Sequence, residues 1–150
     1  MSNANSKASL FLMELIMSIL FFSLSAAVCV QLFVRSHVLS LESLRLNYAV
    51  IASESMAETF YQTDGDLSRL KDVLSDSFYN EKKQTVNIYY DANFEPISNN
   101  DFTYRGRYIL SGVLTSEDGL LTLTITYTDH KAGKEIYSIS PVLYPKGGAR

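Results

Sequence analysis

"LFLMELIMSILFFSLSAAVCVQLFV", residues 10–34, runs for 25 residues with one formal charge, Glu14. As a helix the run is roughly 37 Å long at about 1.5 Å per residue. That exceeds the roughly 30 Å hydrocarbon core of a bilayer, so it can span with some tilt. A removable secretion signal has a shorter apolar core of roughly 7–15 residues. The A-x-A cleavage signature is poor around "SLSAAVC", and a lipoprotein reading of Cys29 meets Val28 where Gly or Ala is normal. The run reads as a retained anchor. Lys7 and the α-amine favour a cytoplasmic N-terminus, while Arg35 and Arg45 pull the other way.

Downstream of Arg35 the helical signal continues, with no Gly or Pro from Ser36 to Gln62. Leu41, Leu44, Tyr48, Ile51 and Ser55 fall at 3–4 residue spacing, and Leu39, Leu46, Val50, Ala57 and Phe60 form another stripe. This predicts one long helix from about Leu10 to about residue 62, half in lipid and half outside. "TDGD", residues 63–66, then breaks it, with Gly65 as the stop and Asp66 as the cap of a short helix over 66–79. From Gln84 the apolar period changes to two. "TVNIYYDA" is a first strand, and two more flank an "EDG" hairpin turn at Glu117–Gly119. "IYSISPVLY" is a last strand broken by Pro141, so that strands occupy 84–144, and "PKGGAR" is a loose tail. In the clearest strand, Leu121, Leu123, Ile125 and Tyr127 take one face and Thr122, Thr124, Thr126 and Thr128 the other. The expected fold is α+β. A long N-terminal helix covers the apolar face of a roughly four-stranded antiparallel meander.

The net charge of −3 leaves no basic footprint for nucleic acid. Cys29 is the single cysteine, so the segment beyond residue 34 is held by packing without disulfides. His37 and His130 are the only histidines and fall into no metal-ligand spacing. "DGD" at Asp64–Asp66 lacks the calcium-loop pattern and reads as a helix break with an N-cap. No nucleophile has a base beside it, so the chain reads as a non-enzyme without cofactor. Ten tyrosines and eight phenylalanines without tryptophan read as strand packing, the alternative being a sticky face for neighbours. Ser18, Ser23, Ser25, Ala26 and Ala27 are small enough for helices to approach closely.

Glu14 has three readings. It can snorkel to the interface toward Lys7, belong to an ion path, or meet a positive group on another molecule. A short polar leader with a lysine, then a hydrophobic helix with glutamate as its fifth residue, resembles the class III signal of type IV pilins and pseudopilins. Aligned on Glu14, the mature chain starts at Leu10 and the leader is 1–9, ending in Ser9. The resemblance implies cleavage between Ser9 and Leu10 by a prepilin peptidase, methylation of the new terminus, and pairing of Glu14 with the Leu10 amine of an adjacent subunit. It also implies a transmembrane and assembly helix at 10–34 and an exported pilin-like domain at 35–150. The chain departs from the family pattern by Ser9 in place of Gly, Leu10 in place of Phe, Gln31 where many major pilins have a kinking Pro, and no C-terminal disulfide loop. These departures point to a structural minor pilin or pseudopilin of a type IV pilus, competence pseudopilus or type II secretion-like machine. Its partners would be other pilins, the prepilin peptidase, the inner-membrane assembly platform and the lipid bilayer. The alternative is a signal-anchored extracellular binding or sensor domain that never polymerises.

Overall fold

The computed structural model describes residues 2–74, 76–98, 101–102 and 105–144, with side chains from residue 9 onward. The expected tail at 145–150, Tyr104 and the Lys7 side chain lie outside the described residues. The chain divides into two units, Met1–Ser43 and Leu44–Arg150.

One helix, α1 (Ser2–Gln62), supplies every described residue of the first unit and the opening of the second. Its sequence contains neither Gly nor Pro, so nothing breaks the hydrogen-bond ladder over its 61 residues. In the first unit every described side chain from Ser9 to Ser43 is exposed. An apolar helix with no protein core of its own is stable only where lipid or a partner replaces water.

The second unit is α+β, with the last turns of α1 packed on an antiparallel sheet. Ala49, Ser53, Met56 and Phe60 form the buried face of the helix. The two stripes read from the sequence split differently. Ala57 and Phe60 are buried, but Leu39 and Leu46 of the same stripe are exposed, as are Leu41, Leu44, Tyr48 and Ile51. Gly112 of the sheet makes room for Met56 on this face: a Cβ there would sit 2.9 Å from Met56 Sδ. On the same face, Ser53 Oγ is buried with no hydrogen-bond partner among the described residues.

The helix ends in a Schellman-type turn. Asp64 takes the left-handed conformation (φ 53°), its N–H donates to Tyr61 O, and the Gly65 N–H donates to Phe60 O. The left-handed residue is thus Asp64, one position before the glycine expected to provide the stop. Gly65 is also left-handed (φ 84°) and is pressed against Leu121, where a Cβ would lie at 2.5 Å. Asp66 then caps α2 (Leu67–Val73), accepting from Ser68 N at 2.9 Å and the Ser68 hydroxyl at 2.7 Å. The Ser68 hydroxyl leads the interactions that hold the Asp66 carboxyl below its ordinary value.

The short helix is shorter than the expected 66–79. Leu74 is extended, and its N–H closes the last turn on Leu70 O. Asp76 is left-handed (φ 62°), and Ser77–Asn80 becomes strand β1. Phe78 and Tyr79 are good strand formers, and β2 (Thr85–Tyr90) offers them an open edge. Five more strands follow: β3 (Pro96–Ile97), β4 (Tyr108–Glu117), β5 (Leu120–Asp129), β6 (Lys134–Ile139) and β7 (Val142–Leu143).

The sheet therefore has seven strands rather than about four, in the order β1-β2-β4-β5-β6. The difference lies at its edges, where β1 and β3 both pair with β2, and β6 and β7 both pair with β5. The expected central strands and hairpin are present. Asp118 (φ 51°) and Gly119 (φ 80°) form a two-residue turn with both φ values positive, as a type I′ hairpin requires. Pro141 interrupts the last strand, and its carbonyl accepts from Leu123 N at 3.0 Å. The period-two alternation of β5 holds: Leu123, Ile125 and Tyr127 are buried against the helix, and the threonines face outward.

Candidate functional site

Ser9, Leu10 and Glu14 all lie on α1, exposed. The Ser9–Leu10 bond is helical backbone, and Leu10 and Glu14 stand four residues apart on one face. Glu14 makes no ion pair among the described residues, and its neighbours Leu10, Phe11, Met13 and Leu15 are apolar and exposed. The run it belongs to lies in the one helix among the described residues that is long and apolar enough to cross a membrane. Two of its three serine hydroxyls bond within the helix: Ser23 donates to Ile19 O at 2.8 Å and Ser25 to Phe21 O at 2.9 Å. Such back-bonding suits a polar side chain to hydrocarbon surroundings.

A second cluster, in the unit Leu44–Arg150, is aromatic. Tyr48 of α1 stacks on Phe94 with ring centroids 4.2 Å apart, and Phe94 stacks on Tyr108 at 5.0 Å. Tyr127 lies 5.7 Å from both Tyr108 and Tyr90. Beside this stack runs a groove of about 230 Å³, between Tyr48, Ile51 and Ser55 on the helix and Tyr90, Phe94 and Tyr127 opposite. Burial pushes the Tyr90 phenol up to about 12. Burial first, then the neighbouring Tyr90, Tyr108 and Asp129, pushes Tyr127 up further. Both phenols stay protonated at neutral pH and offer hydrogen bonds rather than charge.

Phe94 holds its place at φ 64°, a left-handed conformation that costs a bulky residue about 1–3 kcal/mol. The β2–β3 turn enforces it. Buried Asp91 accepts from Asn93 N at 2.7 Å and Glu95 N at 3.1 Å, and Arg105 reaches its other oxygen at 3.4 Å. A parallel clamp sits on β5, where Arg107 donates through Nε (3.1 Å) and Nη2 (2.8 Å) to Asp129 Oδ2. Asp129 Oδ1 accepts from Ala132 N at 3.0 Å and so shapes the β5–β6 turn. These two acids are the positions that sequence reasoning missed. Each has its basic partner 14 or 22 residues away, and no short-range spacing marks them.

Burial raises the Asp129 carboxyl, and the Ala132 amide and the Arg107 guanidinium outweigh it, holding the group below its ordinary value. A depressed folded value means that Asp129 stabilises the fold fully above the ordinary carboxylate range of about 4, and that this contribution is lost as pH falls through the folded value. Asp129→Asn is therefore expected to cost about 2 kcal/mol at pH 7 and to flatten the loss of stability below about pH 4. Thermal unfolding of the two full-length proteins in detergent at a series of pH values checks this. Parallel acid profiles would contradict it.

His37 is exposed on α1, and His130 packs against Phe102 with centroids 5.0 Å apart. Among the described residues no three His, Cys, Asp or Glu side chains gather as a metal site. Compared with family models, curated proteins and solved structures, the chain matches none.

Proposed function

We propose that this chain is a structural, pilin-like subunit, a minor pilin or pseudopilin. It would be anchored by residues 10–34 and would assemble by bundling its hydrophobic helix with those of neighbours. The N-terminus would be cytoplasmic and the unit beyond the membrane extracytoplasmic. The prepilin peptidase would cut between Ser9 and Leu10, and the assembly platform would feed the mature chain into a filament. Glu14 would set the register by pairing with the Leu10 amine of an adjacent subunit.

The observation that carries this reading is Glu14 itself, one acid without an ion-pair partner among the described residues, in the stretch of α1 from Ser9 to Ser43 whose side chains are all exposed, one turn from the expected new terminus. An unpaired carboxylate and an unpaired ammonium in apolar surroundings are each costly, and bringing them together relieves both. Small residues at Ser18, Ser23, Ala26 and Ala27 permit close helix approach.

Mass spectrometry of the protein extracted from membranes of its host tests the first step. The expected mature chain is lighter by the nine residues 1–9 and starts at Leu10. A chain that keeps Ser9 and its leader would rule the reading out. It would leave the alternative, a signal-anchored binding domain, for which the groove at Tyr48 and Phe94 is the supporting feature.

A further inference from the structure

We propose that the groove beside the Tyr48–Phe94 stack binds a small uncharged molecule of the phenol class, a single aromatic ring bearing one oxygen. Its lining belongs wholly to the unit Leu44–Arg150. Ile51, Ala52 and Ser55 come from α1, and Tyr90, Phe94 and Tyr127 from the sheet and its β2–β3 turn. The space is about 230 Å³. A cavity of about 150 Å³ holds benzene, and pockets for drug-sized ligands start at about 300 Å³, so one substituted ring is the size that fits.

The chemistry follows from what the walls leave unsatisfied. Tyr127 is 1% exposed, yet its hydroxyl makes no hydrogen bond among the described residues, and neither does that of half-buried Tyr90. Ser53 Oγ is the one sealed side-chain oxygen without a partner among the described residues, so the two phenolic oxygens are not closed off in the core. They open on the groove that both rings line. Each is an O–H donor that holds its proton at neutral pH, so the pair requires an oxygen that accepts. A buried hydroxyl without a partner costs free energy, and a ligand that supplies one relieves it.

The aromatic walls favour an electron-rich ring over a cation. Cations are held by ring faces. Phe94 gives its faces to Tyr48 and Tyr108, within 6° and 11° of parallel, and Tyr127 packs against Tyr90 and Tyr108. Ring edges remain for the groove, and these carry the positive part of the quadrupole. No charged side chain among the described residues lines the groove, so a charged ligand would be desolvated without a counter-charge. Water reaches the hydroxyls but gains nothing from Ile51 and Ala52, whereas a ring with an oxygen matches both ends. The wall is also set in advance, since the Asp91 turn holds Phe94 at φ 64°, and such strain clusters at ligand sites. The inference goes beyond assembly and stands whether or not the chain is cut at Ser9.

The test is fluorine NMR of 4-fluorophenol titrated against the full chain in lipid nanodiscs, with empty nanodiscs as the blank. A saturable shift beyond the blank is expected. Tyr127→Phe and Tyr90→Phe keep the rings and remove one donor each. Each is expected to weaken binding about fivefold, and the two together about twentyfold. Fluorobenzene, which has no oxygen, is expected to bind at least about tenfold more weakly than 4-fluorophenol and to be indifferent to both changes. Ser55→Phe, at an exposed helix position, obstructs the groove and is expected to lower the affinity for 4-fluorophenol at least about tenfold. Circular dichroism melts of all the variants are expected to match the parent.

No saturable shift beyond the blank would overturn the site. So would equal affinity of the parent and the double variant for 4-fluorophenol, or tighter binding of 4-fluorobenzylammonium than of 4-fluorophenol. None of these outcomes bears on leader removal, which the mass of the membrane-extracted chain decides.

Discussion

Glu14→Gln is expected, if the chain assembles as proposed, to leave the protein in the membrane and to lower its incorporation into a filament about a hundredfold. The side chain keeps its size and its hydrogen-bonding groups and loses only the charge. An acid at the centre of a span costs roughly 2.5–3.5 kcal/mol on insertion scales, and less near an end, so glutamine at position 14 should insert at least as well. Assembly should respond in the opposite sense. The Leu10 ammonium of the neighbour would enter apolar surroundings without a counter-charge, and a penalty of about 3 kcal/mol corresponds to roughly a hundredfold in an equilibrium constant. The measurement is the ratio of variant to parent protein in sheared filaments, normalised to the membrane fraction. A ratio near one would remove register pairing as the reason for the acid.

Phe60→Ala is expected to cost about 3–5 kcal/mol, the range for deleting a buried aromatic ring. Phe60 is fully buried on the last turn of α1, and its carbonyl accepts the Gly65 N–H that closes the helix. Its ring also borders the space in front of Gly65, where Leu121 and Leu143 close in from β5 and β7. Removing it opens a cavity between helix and sheet that the tightly turned Gly65 segment has little freedom to fill. For a domain of this size, the midpoint of thermal unfolding should fall by at least about 12 °C. The neighbouring Tyr61 is half-exposed, and Tyr61→Ala should stay within about 1 kcal/mol. Circular dichroism melts of the full chain in detergent compare the two. Equal losses would show that the helix end is not anchored through Phe60.

Some of this architecture is readable residue by residue. Leu121 to Thr128 alternates so regularly that its inward and outward faces follow from the pleat alone, and Leu123, Ile125 and Tyr127 are indeed buried. Asp118 and Gly119 tolerate positive φ, so the hairpin follows from local sterics. Other parts resist such reading. Ser77–Asn80 looks like the end of a helical face because Leu70, Val73, Leu74 and Phe78 keep helical spacing. The open edge of β2 takes the segment as a strand instead. Pro96–Ile97 is too short to carry a period at all, and it pairs only because the Asp91 turn brings it back to β2.

For the candidate site, residues Ser9, Leu10 and Glu14 come from the sequence, and the structure adds that all three are exposed on one helix. The Tyr48–Phe94–Tyr108 stack was invisible beforehand. Its members come from a helix, a turn and a strand, and Phe94 occupies a conformation that its residue type disfavours.

By itself, the sequence determined the apolar run with its single acid, the long uninterrupted helix, the period-two strands and the turns between them. Each of these depends on the preferences of neighbouring residues for lipid, helix, pleat or positive φ. Only the tertiary structure decided which face of the helix meets the sheet, because two apolar stripes were available and the side that is buried, where Met56 meets Gly112, follows neither of them in full. It also decided the two edge strands and the Arg107–Asp129 and Asp91 clamps. Those depend on residues that chain folding brings together from far apart, and local spacing carries no record of them.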